Sequence, residues 1–365
     1  MPPLGLLNMR WSTLLLGLAL CTPSAALAAK PKAPPQEPLV IEKDGKHGIV
    51  DRSGKLILAP THKWIGDFVG GVAPFEISAP AAAPGEATAR AGLLNRKGKV
   101  QLKPSFEALR EFSEGKAAAR QGGQWGYINA AGKLVIAPKF LRANAFHCDR
   151  AAVEIATEQF AFIDPAGNQV IAMTDYATNE IEEFSEDVVI LRPLKEGNAK
   201  VVDKAGQVVC EAPARVVKAF SDGLAAFRSE DGRWGFIDHQ CKAVIPPTFA
   251  FTAGFREGLA PTEQDGRWGF VDKTGKWVVE PIFGEIDALS EGLARVRVGI
   301  QYGYCDAAGR TVIAPVYEDA QHPGTRFRNG LALVGKEVDG KLERGWIDKA
   351  GNVIWAPWPP PKKEE

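Results

Sequence analysis

The stretch Gly123–Phe140, GQWGYINAAGKLVIAPKF, decides the fold. Trp125-Gly126-Tyr127-Ile128 is short, aromatic and β-branched, a composition that favours a strand. Asn129-Ala130-Ala131-Gly132 is a turn. An Asx side chain there can bond the backbone two residues on, and the Gly can take a positive φ. Lys133 to Ala137 is a second strand, and Pro138 stops its ladder because it has no N–H. Two strands joined by such a loop, with Gly last, predict a hairpin with a G1 bulge.

The same pattern returns along the chain. Clear copies are GRWGFIDHQCKAVIPPTF from Gly232, GRWGFVDKTGKWVVEPIF from Gly266 and QYGYCDAAGRTVIAPVY from Gln301. Weaker copies are KHGIVDRSGKLILAP, ARAGLLNRKGKVQLKPSF, FAFIDPAGNQVI, AKVVDKAGQVV and RGWIDKAGNVIWAP. One acidic or amide position aligns all nine: Asp51, Asn95, Asn129, Asp164, Asp203, Asp238, Asp272, Asp306 and Asp348. Successive gaps are 44, 34, 35, 39, 35, 34, 34 and 42 residues, so the base period is 34 or 35. A second anchor keeps step. An aromatic or Leu follows 17 residues later at Phe68, Phe112, Phe146, Phe220, Phe255 and Leu289, and 20 or 21 later at Phe184 and Phe327. A Gly usually comes three residues after that anchor, as at Gly71, Gly115, Gly223, Gly258, Gly292 and Gly330.

After the second strand comes a connector, then a third strand such as Leu224–Phe227 or Leu293–Val296. A short polar turn returns the chain to the next Trp-Gly. The unit is therefore a three-stranded antiparallel meander, with room for a short fourth strand at Ile282–Ile286. No segment shows a sustained 3.6-residue apolar period. The second strand is apolar on consecutive residues, Leu134-Val135-Ile136, so both of its faces are expected to be buried. A three-stranded unit is too small to stand alone, and stability is expected from contacts between neighbours.

Composition fits this reading. The 365 residues carry 44 Lys and Arg against 44 Asp and Glu, a net charge of zero. That balance gives no basic excess for phosphate, so nucleic acid is not an expected partner. The N-terminus reads as an export signal. Residues 1–28 hold one charge, Arg10, an apolar run from Leu14 to Leu20, and Ala26-Leu27-Ala28 before a cleavage point. Arg10 directly follows Met9, which offers an alternative start. The apolar run is shorter than the roughly 20 residues that span a bilayer, and no other stretch of that length is apolar. Expected boundaries are a signal peptide at 1–28, a Pro-rich linker at 29–39, the array at 40–358 and a Pro/charged tail at 359–365.

Trp125-Gly126, Trp234-Gly235 and Trp268-Gly269, each followed by aromatic, Ile or Val, then Asp or Asn, resemble the WG-repeat family. Pro104-Ser105-Phe106 and Phe112-Ser113-Glu114-Gly115 match it as well. The resemblance covers nearly all of the mature chain. It implies a β-rich tandem-repeat protein of bacteria with no transferable catalytic or binding residues. The chain departs from the pattern where the Trp slot holds His47, Ala91, Phe160 and Tyr302, where Ala199-Lys200 replaces Trp-Gly, and where Cys241 replaces the turn Gly.

Candidate sites are few. The Trp row, Trp125, Trp234, Trp268 and Trp346, is expected to fill space between units, with Gly126, Gly235 and Gly269 admitting neighbouring backbone. Trp355 and Trp358 fall outside the row and are the aromatics expected to reach a ligand such as a glycan. The Asp row recurs singly before turn glycines, which suits turns rather than calcium, whose sites need several converging oxygens. His47, His62, His147, His239 and His322 occupy unrelated positions of the unit, and no nucleophile, phosphate-loop or zinc motif occurs. No catalytic residue, metal or cofactor is expected. In an exported chain Cys148, Cys210, Cys241 and Cys305 can oxidise. Cys210 and Cys241 are the pair on adjacent units, which makes them the expected disulfide, while Cys305 takes an apolar strand position. Insertions at Ser78–Ala89, Arg192–Asn198 and Lys336–Leu342, and near His322–Thr325, mark loops.

The sequence thus predicts an all-β protein of about nine units in an open, curved stack, with a closed β-propeller as the alternative. Propellers typically have four to eight blades, which argues for the stack. The expected function is a monomeric, non-catalytic protein-binding or scaffold module, periplasmic or secreted. A glycan- or peptidoglycan-binding module is the alternative, and an envelope hydrolase with a composite site a third reading.

Overall fold

The computed structural model describes residues 36–77, 90–177, 183–318 and 325–358. The signal peptide, most of the Pro-rich linker, the Ser78–Ala89 insertion, His322 and the 359–365 tail lie outside the described residues. Every regular element among those described is a strand, and the strands form nine antiparallel sheets. In chain order the sheets span 39–62, 64–106, 108–140, 142–172, 188–211, 216–249, 251–283, 285–317 and 331–355, here blades 1 to 9. Six sheets have four strands, and blades 1, 5 and 9 have three.

Blade 7 shows the plan. A two-residue strand, Phe251–Thr252, pairs with Leu259–Gln264, which pairs with the Trp-Gly strand Arg267–Asp272, which pairs with Trp277–Phe283. The short strand read at Ile282–Ile286 is Glu285–Ile286, and it opens blade 8. A sequence unit therefore straddles two blades. Its Trp-Gly hairpin finishes one sheet, and its third strand begins the next. The covalent connector thus joins neighbours at every step.

The fourth strand does not bury both faces. Leu134–Phe140 alternates, with Ile136 and Phe140 buried but Val135 42% exposed. It is an edge strand, so one face meets solvent, and consecutive apolar residues misled because Val and Ile also satisfy β-propensity at an edge.

The array is a closed nine-bladed propeller, not an open stack. Leu39, Ile41 and Val50 of blade 1 form one apolar cluster with Leu331, Trp346, Ile354 and Trp355 of blade 9. The Trp346 Nε1–H donates to the Val40 carbonyl at 2.8 Å. Arg52 donates to the Asn329 carbonyl at 2.6 Å, and Arg344 faces Glu42 at 3.5 Å. An array whose first and last units bury each other's apolar faces has no free ends. Unequal gaps do not prevent this, as two of the described insertions show. The 336–342 insertion lengthens one hairpin, Leu331–Val338 with Lys341–Asp348. The 192–198 insertion is held by Arg215, which donates to the carbonyls of Pro193, Lys195 and Gly197.

Candidate functional site

The nine Asx residues all make the same turn. Asp272 Oδ1 accepts from the N–H of Thr274 at 2.8 Å and of Lys276 at 3.1 Å. Asp51, Asn95, Asn129, Asp164, Asp203, Asp238, Asp306 and Asp348 each accept from the same two positions of their own loops. One oxygen of each is committed to backbone, and in Asp164, Asp306 and Asp348 the other accepts from Asn168, Arg310 and Asn352. Among the described residues no group of three His, Cys, Asp or Glu side chains could hold a metal ion.

The glycine of Trp-Gly is held by its own blade. A Cβ on Gly269 would stand 2.2 Å from the Val279 carbonyl, and on Gly126 2.4 Å from that of Ile136. The backbone it admits is the adjacent strand, not the neighbouring unit. The register shows why: Trp268 pairs with Phe283 and Phe270 with Val279, so the fourth strand bulges over the Gly. In blades 4 and 5, Ala161 pairs with Ala172 and Lys200 with Glu211 with no bulge at that point, and no Gly is needed.

Aromatics two places before the Asx residue pack between blades alongside Trp125, Trp234 and Trp268. Tyr127 meets Phe146 edge-on with centroids 4.9 Å apart and donates its hydroxyl to the Asn144 carbonyl at 2.7 Å. Phe162 meets Phe184, Phe236 meets Phe255 and Tyr304 meets Phe327 in the same way. Trp346 belongs to this row. It pairs with Trp355, as Tyr127 pairs with Ile136, so it does not share the slot of Trp125, Trp234 and Trp268. Trp234 is buried between blades 6 and 7, while Trp125 and Trp268 are half-buried against the apolar clusters between blades 3 and 4 and between blades 7 and 8. Trp358 is not a surface aromatic: it is 7% exposed within the core of blades 8 and 9. Trp355 is half-buried at the seam with blade 1. Both lie where the chain ends its last blade, and the apolar surface of that blade draws them in. Cys210 and Cys241 are joined by a disulfide with Cα atoms 6.0 Å apart, stapling blade 5 to blade 6. Cys148 and Cys305 are free, and burial pushes the Cys305 thiol up to about 12.

The Phe-Ser-Glu-Gly element, read from the sequence only as a spacing anchor, is a lock. Each copy is a tight turn with two positive-φ residues, such as Glu257 at 52° and Gly258 at 84°. Its carboxylate reaches the next blade's turn. The N–H groups of Glu291 and Gly292 donate to Glu257 at 2.6 and 2.8 Å, and those of Cys148 and Asp149 donate to Glu114 at 2.7 and 2.9 Å. Glu37 serves Gly71, Glu186 serves Gly223, Asp222 serves Gly258 and Glu291 serves Gly330. Ser113 and Ser290 add hydroxyl bonds to the Phe146 and Phe327 carbonyls at 2.6 and 2.7 Å. Where blade 4 carries Cys148 instead of Glu, Arg150 donates to the Lys204 carbonyl of blade 5 at 2.9 Å, and the Lys204 ammonium lies 3.9 Å from Asp149.

These turns converge on one face around the axis. Burial and the Asp67 carboxylate raise the Glu111 carboxyl, against a backbone hydrogen bond with Asp67 and the pull of Arg328. On this face a cleft of about 640 Å³ opens across blades 6 to 9. Arg256, Trp268, Glu285, Asp287, Arg297 and Arg326 are among its lining residues. Beneath it Arg295, 8% exposed, donates to Glu285 at 3.2 Å and to Asp287 at 3.0 Å. Sequence reasoning missed this site. Its signal was in the aligned columns: Arg256 stands where four other copies carry Ser, and Arg326 where four others carry Ala or Gly.

A closed ring of repeated β-blades with one charged cleft near its axis defines a repeat β-propeller. The WG containing repeat matches residues 48–78, 92–125, 125–156, 234–268, 268–299 and 302–341, and the chain belongs to that family. No curated protein matches the chain. Among solved structures, one described as the eukaryotic initiation factor is 11% identical and has a TM-score of 0.51, over 73% of this chain and 81% of its own. Saccharomyces cerevisiae Sqt1 is 11% identical with a TM-score of 0.40, over 80% and 94%. The WD40 beta propeller domain of Doa1 is 12% identical with a TM-score of 0.34, over 67% and 89%. At 11% identity the likeness to the initiation factor is one of fold alone. No helix among the described residues is long and apolar enough to cross a membrane.

Proposed function

We propose that the protein is a non-catalytic, exported propeller that binds other proteins in the bacterial cell envelope. One observation carries this reading. The repeated carboxylates are engaged by turns and blade locks, and two side chains that break the repeat, Arg256 and Arg326, meet in a cleft whose lining shows no nucleophile-and-base arrangement. Export rests on residues 1–28, and a bacterial envelope on that signal together with the family. The glycan reading rested on Trp355 and Trp358; Trp358 is buried and Trp355 half-buried, which leaves less aromatic surface for a sugar. In-cell cross-linking with fractionation tests the proposal. The expected result is a mature chain starting at Ala29, recovered outside the cytoplasm and joined to a defined protein. Retention of residues 1–28 in a cytoplasmic, uncross-linked monomer overturns it.

A further inference from the structure

We infer that the cleft across blades 6 to 9 binds an acidic peptide segment of a partner, with Arg256 and Arg326 pairing its carboxylates beside the Trp268 ring. This rests on the protein-binding reading above and names the chemistry of its contact. The charges decide the class. Arg295 and Arg297 balance Glu285 and Asp287, at separations of 3.0 to 3.5 Å. The excess of two positive charges therefore sits on Arg256 and Arg326. The exposed Arg256 guanidinium has no hydrogen-bond or ion-pair partner among the described residues. Arg326 lies 4.0 Å from Asp287, at the outer limit of an ion pair, with its side chain 43% exposed. Both forks thus have donors to offer a carboxylate. A volume of about 640 Å³ suits several side chains rather than one ion. Glu285 and Asp287, already paired with Arg295 and Arg297, keep lone pairs that can accept from peptide N–H groups, donors that a phosphodiester backbone lacks, which favours a peptide over a nucleic acid.

Fluorescence anisotropy of a fluorescein-labelled hexaglutamate peptide with the full mature chain tests this, with hexaglutamine and oligothymidylate as the other probes. Hexaglutamate is expected to bind at least about tenfold more tightly than hexaglutamine, and to weaken as salt screens the pairs. The double variant Arg256→Gln/Arg326→Gln is expected to lose at least about tenfold, whereas Arg142→Gln, an exposed Arg on blade 4, leaves binding unchanged. Circular dichroism melts check that both variants fold; should the Gln pair fail, Lys at both positions keeps the charge but not the planar fork and is expected to bind at an intermediate level. Equal binding of hexaglutamate and hexaglutamine, binding unaffected by the double variant, or tighter binding of oligothymidylate through the same two residues overturns the assignment. If the double variant still cross-links the cellular partner at full yield, the cleft assignment falls while the protein-binding function stands.

Discussion

Single residues in this propeller do one local task each, and most of those tasks were legible. The Asx turn was readable because donor and acceptor lie within four residues of each other. Asp51, Asp164, Asp272 and Asp306 titrate lower than usual, chiefly through side-chain bonds from Ser53, Asn168, Thr274 and Arg310. A carboxyl lowered by folding stabilises above its unfolded pKa, and this is lost as pH falls through the folded value. Stability to urea is therefore expected to drop as pH falls below about 4. Asp272→Asn, which keeps the turn acceptor but cannot titrate, should shrink that dependence. The Trp-Gly glycine was legible as a close approach, but its partner was not, since the bulge above it depends on pairing register. Gly269→Ala forces a Cβ against the Val279 carbonyl and should cost about 1–3 kcal/mol by urea unfolding. Gly258→Ala meets no atom within 4 Å and should cost only its left-handed backbone, about 1–2 kcal/mol. Among thiols, half-buried Cys148 should react with a thiol reagent at pH 8 while buried Cys305 stays protonated and unlabelled until the chain unfolds.

At the scale of elements, the turn between the short strand and the first long strand joins blade to blade. Phe-Ser-Glu-Gly could be found by its spacing, yet its chemistry could not be read. Its carboxylate and the amides it serves are 34 to 39 residues apart, and nothing in a single sequence states which turns touch. The carboxylate satisfies two N–H groups that the left-handed turn leaves without a ladder partner. Removing it strands those donors rather than merely deleting a bond. Glu257→Ala should lower stability by about 1–3 kcal/mol, and Glu257→Gln, which retains one acceptor oxygen, should lose less. Hydrogen exchange should speed at Glu291 and Gly292 before it changes elsewhere. Uniform acceleration across all blades would show instead that the carboxylate acts through global stability alone. The natural substitutions obey the same logic: where Cys148 supplies no carboxylate, Arg150 of blade 4 donates to the Lys204 carbonyl of blade 5, and the Lys204 ammonium approaches Asp149 at 3.9 Å.

For the whole molecule the period revealed nine β-units, but not whether the ends meet. Closure depends on the rotation between neighbouring blades, which the aromatic contacts and turn locks set and no local pattern encodes. The sequence did hold one trace of it. Unit nine has Trp at the position of Tyr127, followed by Trp355 and Trp358, more aromatic surface than a terminal unit facing water would retain. That surface is covered by blade 1. Trp346 contributes both packing against the Leu39 and Ile41 cluster and a hydrogen bond to Val40, so it ties residues about three hundred positions apart. A closed ring of this size should scatter with a radius of gyration near 20 Å, the value for a compact chain of about 330 residues. Trp346→Ala should cost about 2–4 kcal/mol by denaturant unfolding. Its distinguishing effect should be spatial. In a closed ring, amides of blade 1, residues 39–62, should lose exchange protection together with those of blade 9, whereas Trp268→Ala should spare blade 1. Blade 1 protection unchanged in Trp346→Ala would mean that its strands do not depend on blade 9, and that the ring is open in solution.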